Sequence, residues 1–168
     1  KPGFKSRREH HALLPVSCSK LICSHDPSCC VGEKARLRHV AVAVESIDAA
    51  LPLWKALGLE LRHTEDVPSE GVRTAHLAAG GGEVELLEPL AGDTPVGRFL
   101  KRQGPGLHHI ALEVDDLAAA LARCADAGLK PLGSDARGGA ENSRVAFFHP
   151  RDTGGVLLEL VEPAPKPV

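Results

Sequence analysis

An internal repeat constrains this chain more than any other feature. The segment Leu37-Arg38-His39-Val40-Ala41-Val42-Ala43-Val44 alternates as a strand does, and seventy positions later Leu107-His108-His109-Ile110-Ala111-Leu112-Glu113-Val114 repeats it. His39 then matches His109, and Val44 matches Val114. The register carries on into a helix. Ser46 and Asp116 are both good N-caps, whose side-chain oxygens can accept a first-turn amide. Ile47, Ala50 and Leu51 match Leu117, Ala120 and Leu121. Gly58 and Gly128 fall where a left-handed residue would end each helix. Pro52 lies inside the first helix and is expected to bend it or loosen its first turns.

Each copy closes with strands. Residues 72–78 and 144–149 read as third strands. Val84-Glu85-Leu86-Leu87-Glu88-Pro89 and Leu158-Glu159-Leu160-Val161-Glu162-Pro163 read as fourth strands. Glu85 matches Glu159 at an offset of 74, and the four extra residues are expected in the Gly-rich loop around Gly138 and Gly139. Thr94-Pro95 supplies an N-cap and first helical residue for a short helix running to about Gln103. The expectation is an α+β fold: two βαβββ modules, 37–90 and 106–163, joined by a linker helix within 91–105 and followed by a tail, 164–168. Their strands would form one curved mixed sheet.

Residues 1–36 differ from this pattern. They hold Cys18, Cys23, Cys29 and Cys30 with His10, His11 and His25, but no sustained period and no paired C-x2-C spacing. The stretch is expected to be an extension outside the folded body; a zinc site and a cleaved targeting peptide are the alternatives. Charge divides in the same place. Residues 1–38 carry eight Lys or Arg and three acids, whereas 39–168 carry twelve and nineteen. An acidic body with only 3% aromatic residues suits neither nucleic acid nor a membrane surface. No apolar run reaches the roughly 18 residues of a membrane span. Cys124 sits with Leu117 and Leu121 at helical spacing and reads as a small core residue, so nothing in the body calls for disulfides. A cytoplasmic location is expected, or the mitochondrial matrix if the extension is a transit peptide.

The repeat delivers two His–Glu pairs, His39 with Glu85 and His109 with Glu159, each His opening a first strand and each Glu lying in a last one. A lone His near an apolar strand is usually a hydrogen-bonded core residue, and a lone strand Glu usually faces solvent. Glu85, however, lies between Val84 and Leu86, where a carboxylate is costly to bury unless paired or metal-bound. Two matching pairs therefore read as a mixed N/O site for one divalent ion such as Co, Mn, Ni, Zn or Mg, with positions left for water. His63, His108 and His149 read as ordinary structural residues, His108 because alternation points it away from His109.

At these residues the sequence resembles the vicinal oxygen chelate superfamily, and within it the methylmalonyl-CoA epimerases, over about residues 37–163. The resemblance rests on Glu85-Leu86-Leu87-Glu88-Pro89-Leu90 with Asp93-Thr94-Pro95-Val96 and Phe99-Leu100. It rests also on Gly106-Leu107-His108-His109-Ile110 with Glu113-Val114-Asp115, and on the run from His149-Pro150-Arg151-Asp152 to Glu159-Leu160. It implies a metal held by His39, His109 and Glu159, with Glu85 at the fourth ligand position, and Glu159 doubling as a base. It implies a small acyl-CoA substrate, methylmalonyl-CoA, whose C2 proton is lost and returned, and a homodimer. One position departs: some family members carry a Glu in the third strand where this chain has Thr74. His76 points the same way as Thr74 and is the nearest titratable replacement, with a water relayed through Thr74 as the alternative. A lactoylglutathione lyase of the same fold and a non-catalytic binding protein are the competing readings; retained ligands argue against the second.

Overall fold

The computed structural model describes residues 34–133, 137–139 and 142–165. The extension, residues 1–36, falls outside them as far as residue 33, as do 166–168 of the tail.

Eight strands form one mixed sheet: β1 (Arg36–Ala43), β2 (Glu60–Val67), β3 (Val72–Ala79), β4 (Gly82–Pro89), β5 (Gly106–Glu113), β6 (Arg137–Gly138), β7 (Arg144–Phe148) and β8 (Leu157–Glu162). Their order is β2-β3-β4-β1-β5-β8-β7-β6. The two halves meet where β1 and β5 pair antiparallel. Within each half, the first strand pairs parallel with the last, β1 with β4 and β5 with β8. Helices α1 (Ile47–Ala56) and α3 (Leu117–Asp126) follow the first strands, and α2 (Pro95–Gln103) joins the halves.

Alternation along the strands separates two faces. In the first half Ala75, Leu77 and Leu86 pack with Ile47, Leu51 and Trp54 under α1. In the second, Ala146, Phe148 and Leu160 pack with Leu117 and Ala120 under α3, where Cys124 also packs. Thr74, His76, Glu85 and Leu87 turn the other way, as do Val145, Phe147, Glu159 and Val161, and these line a cavity.

Local signals account for the helix ends. Ser46, Thr94 and Asp116 each accept the amide three residues on. Gly58 and Gly128 have φ of 89° and 81°, values that favour a residue without a Cβ. A second cap comes from far along the chain. Glu88 Oε2 accepts the amide of Ile47 at 2.6 Å, and Glu162 Oε2 accepts that of Leu117 at 2.7 Å. These carboxylates sit at helix N-termini, where partial positive charge and free amides both favour them. Glu88→Ala is expected to lower stability by about 1–2 kcal/mol, measured by urea denaturation, with Glu88→Gln recovering part of the loss.

Helix α1 continues through Pro52, and two other expectations need correction. That residue is exposed, so the carbonyl deprived of its partner amide lies on the solvent side, where water can satisfy it. The four extra residues are not gathered around Gly138, which belongs to β6. His76 pairs with Glu85 as Phe147 pairs with Glu159, so the third strands are 71 positions apart and the fourth strands 74. Three of the four extra residues therefore lie in the β7–β8 connection, which holds a 3-10 turn at Pro150–Asp152. His108 is the second correction. The β1–β5 register slips by one between Ala41/His109 and Val42/Leu107, leaving His108 as the extra residue of a β-bulge. A bulge breaks alternation and puts two successive side chains on one side. His108 thus joins His109 in the cavity wall instead of pointing away. A matching slip at Arg38, seventy positions earlier, does the same for Arg38 and His39.

Candidate functional site

The repeat brings its two His–Glu pairs to the seam between the halves. His39 on β1 and His109 on β5 approach with Nε2 atoms 3.0 Å apart. Glu159 Oε2, from β8, lies 3.1 Å from His109 Nε2 and 3.5 Å from His39 Nε2. Glu85 Oε2, from β4, lies 3.4 Å from His39 Nε2 and 3.9 Å from His109 Nε2. The four residues are 8%, 6%, 7% and 7% exposed in the order His39, His109, Glu159, Glu85. Such burial of four ionisable groups is tolerable only when each compensates another or an ion.

Electrostatics agree with mutual compensation. Burial tends to raise the Glu159 carboxyl pKa, but hydrogen bonds from His109 and His39 outweigh it and hold the pKa down at about 2. Burial tends to lower His39, yet its hydrogen bond to Glu159 and the charges of Glu85 and Glu159 leave it raised. His108 goes the other way. Burial, with His109 beside it, lowers it to about 4, so it is neutral at physiological pH. Its Nδ1 lies 2.9 Å from His109 Nδ1. A neutral His108 can accept the His109 Nδ1 proton, so that His109 Nε2 would become a donor atom for an ion that displaces the proton it shares with Glu159. The sequence pattern gave His108 no such positioning part, because the bulge is not visible in it.

The same shift forecasts a pH dependence. Unfolded, His108 titrates near 6.5; folded, near 4, so the unfolded chain takes the proton first. Its contribution is fully present above pH 6.5 and is lost as pH falls to about 4. At about 1.4 kcal/mol per unit, discounted for partial exposure, the loss is about 2 kcal/mol. Thermal melts of metal-free protein from pH 7 to 4 should show a shallower decline for His108→Gln than for the parent.

Around the four residues lies a cavity of about 290 Å³. Val145, Phe147, Leu157 and Val161 make its wall in the second half largely apolar. The first half contributes a polar wall of Thr74, His76, His63 and Glu83 beside the apolar Val67, Val72, Leu87 and Val96. His76 occupies the register position that Phe147 occupies in the other half. Its Nδ1 is hydrogen-bonded to the Glu83 carboxylate. Since a carboxylate only accepts, Nδ1 carries the proton and Nε2 is free to take another. That Nε2 faces Glu85 Oε1 at 3.6 Å and Thr74 Oγ1 at 3.2 Å. His63, read from sequence as structural, stacks on His76 with ring centroids 4.3 Å apart. His149 keeps a structural part, its Nδ1 accepting the Arg151 amide.

Donor chemistry and spacing fit one divalent ion. Ligand atoms of His39, His109 and Glu159 all lie within 4.8 Å of one another. Donors about 2.1 Å from a common centre stand roughly 3–4 Å apart, which matches the separations of 3.0 to 3.5 Å among these three.

Residues 38–147 match the Glyoxalase/Bleomycin resistance protein/Dioxygenase superfamily. The chain belongs to this superfamily. Within the superfamily it is 40% identical to the ethylmalonyl-CoA/methylmalonyl-CoA epimerase of Cereibacter sphaeroides, over 74% of this chain and 96% of that one. A crystal structure of methylmalonyl-CoA epimerase from Mycobacterium tuberculosis is 41% identical, with a TM-score of 0.72, covering 77% of this chain and 89% of that chain. A methylmalonyl-CoA epimerase solved in complex with methylmalonyl-CoA and NH4+ is 38% identical, with a TM-score of 0.71, covering 77% and 95%. The superfamily membership and the mixed α+β fold are thus as the repeat and its motifs imply.

Proposed function

We propose that the chain is a methylmalonyl-CoA epimerase, interconverting the (R) and (S) epimers by removing and returning the C2 proton. The observation that carries this reading is the buried His39–Glu85–His109–Glu159 cluster inside a superfamily whose similar members, over nearly the whole folded body, bear that name. His39, His109 and Glu159 would hold a divalent ion with Glu85 beside them. Bound there, the ion supplies Lewis-acid stabilisation for negative charge developing on the substrate's oxygens.

The chain's own residues handle the proton. Glu159, held ionised by His109 and His39, is the base proposed for one face. Across the site, Thr74 stands where some relatives carry a Glu, and a hydroxyl does not act unaided as a base near pH 7. His76, oriented by Glu83 and with its Nε2 hydrogen-bonded to Thr74 Oγ1, takes or gives the proton on the other face. The apolar wall of Val145, Phe147 and Val161 limits water at the reacting carbon.

The test offers purified protein a single epimer of methylmalonyl-CoA and, separately, the hemithioacetal of methylglyoxal and glutathione. Racemisation of the first with no turnover of the second is expected. The reverse pattern assigns the chain to the lactoylglutathione lyases, and inactivity on both to the binding proteins. The enzyme is proposed to act as a homodimer in the cytoplasm, or in the mitochondrial matrix if residues 1–36 direct it there. Among the described residues no helix is long and apolar enough to cross a membrane.

A further inference from the structure

Beside the polar wall in the first half, and sharing His63 and His76 with it, lies a second set of ligand-type side chains. His63 and Glu65 lie two apart on β2, so they share a face; β3 sets His76 opposite His63 and Thr74 opposite Glu65. His63, Glu65 and His76 bring a ligand atom each within 4.8 Å of one another. Glu65 Oε1 is buried and has no hydrogen-bond partner among the described residues. It faces His76 Nε2 at 3.8 Å, too far for a hydrogen bond. A buried carboxylate oxygen left without a partner is costly, and a cation between it and the two imidazoles would remove the cost.

We propose that His63, Glu65 and His76 form a second divalent-cation site at the rim of the cavity. The ligand class is a borderline ion of the zinc type, because two imidazoles and one carboxylate make an N2O donor set. The carboxylate behind His76 strengthens the case. With Nδ1 protonated toward Glu83, the Nε2 lone pair is directed away from Glu83, and an ion there would replace its hydrogen bond with Thr74 Oγ1, the carboxylate–histidine–metal arrangement. Ligand atoms around a tetrahedral ion stand about 3.5 Å apart. His63 is exposed, and a rotation of its side chain supplies the closure from the observed spacing. The consequence for activity rests on the epimerase reading above. An ion on His76 Nε2 takes the lone pair that proton transfer needs, so filling the second site inhibits while filling the first activates.

Metal-depleted full chain is dialysed against increasing Zn2+, and bound zinc is counted per chain. The parent should bind two ions, the second at least 10-fold more weakly. His109→Ala should keep only the weaker site, and His63→Ala only the tighter one. Glu65→Gln, which preserves shape, should weaken the second site at least 10-fold and guards against a folding defect in the His63 variant. A single ion in the parent, or two unaltered ions in His63→Ala and Glu65→Gln, overturns the second site. A parallel assay follows single-epimer racemisation as zinc rises. Several-fold inhibition in the parent and none in His63→Ala, each against its own rate at one equivalent, is expected. Zinc counting requires no turnover, so a failure of the epimerase reading leaves the count decisive.

Discussion

Replacing His109 with Ala is expected to strip the protein of most of its divalent metal and nearly all of its activity. His109 Nε2 lies 3.0 Å from His39 Nε2 and 3.1 Å from Glu159 Oε2, so it faces both other members of the tight group. Loss of a residue that merely supports a ligand already costs 10–100-fold in affinity, and loss of a ligand itself should cost more. Racemisation should fall by roughly 10²–10⁴-fold, since Lewis-acid stabilisation is worth several kcal/mol of barrier. Two further effects act in the same direction. Glu159 loses the first of the two hydrogen bonds that hold its carboxyl pKa near 2. His108 also loses the neighbour at 2.9 Å. Metal content by elemental analysis alongside single-epimer kinetics checks both. Parent-like metal content in the variant would remove His109 from the ligand set.

His76→Gln should impair overall racemisation by about 10²-fold or more, the usual scale for losing an acid–base group. The effect should be one-sided. Deuterium wash-in from the epimer whose proton faces Glu159 should be largely spared, because His76 serves the opposite face. Gln keeps a hydrogen-bonding end of similar reach but cannot carry a proton between faces. Glu83→Gln should follow His76→Gln in direction with a smaller loss, because Glu83 orients the ring rather than touching substrate. If His76→Gln racemises at the parent rate, proton delivery on that face falls to water relayed past Thr74.

The repeat made most of the site legible in the sequence. His39 and His109, Glu85 and Glu159 could be paired because the matched strands carried caps, core positions and terminal glycines in a common register. The mixed polarity around Glu85 is explained by alternation: Leu86 packs under α1 while Glu85 faces the cavity. The features that the sequence does not record arise from long-range pairing. The bulges at Arg38 and His108 are properties of how β1 and β5 meet, and no local period records them. The carboxylate caps Glu88 and Glu162 act 41 and 45 positions from the amides they accept. His63 and Glu65 gained meaning only when β3 placed His76 opposite His63. The asymmetry of the cavity, His76 against Phe147, appeared once the third strands were seen to be 71 positions apart and the fourth strands 74.

Proton exchange at C2 tests the central claim most directly. Methylmalonyl-CoA is incubated with the protein in heavy water, with and without a strong chelator, and deuterium at C2 is followed by mass spectrometry. Rapid incorporation that chelator abolishes and added divalent ion restores is the predicted result. Absence of incorporation by metal-loaded protein, or incorporation indifferent to chelator, would contradict metal-assisted epimerisation at the His39–His109–Glu159 centre.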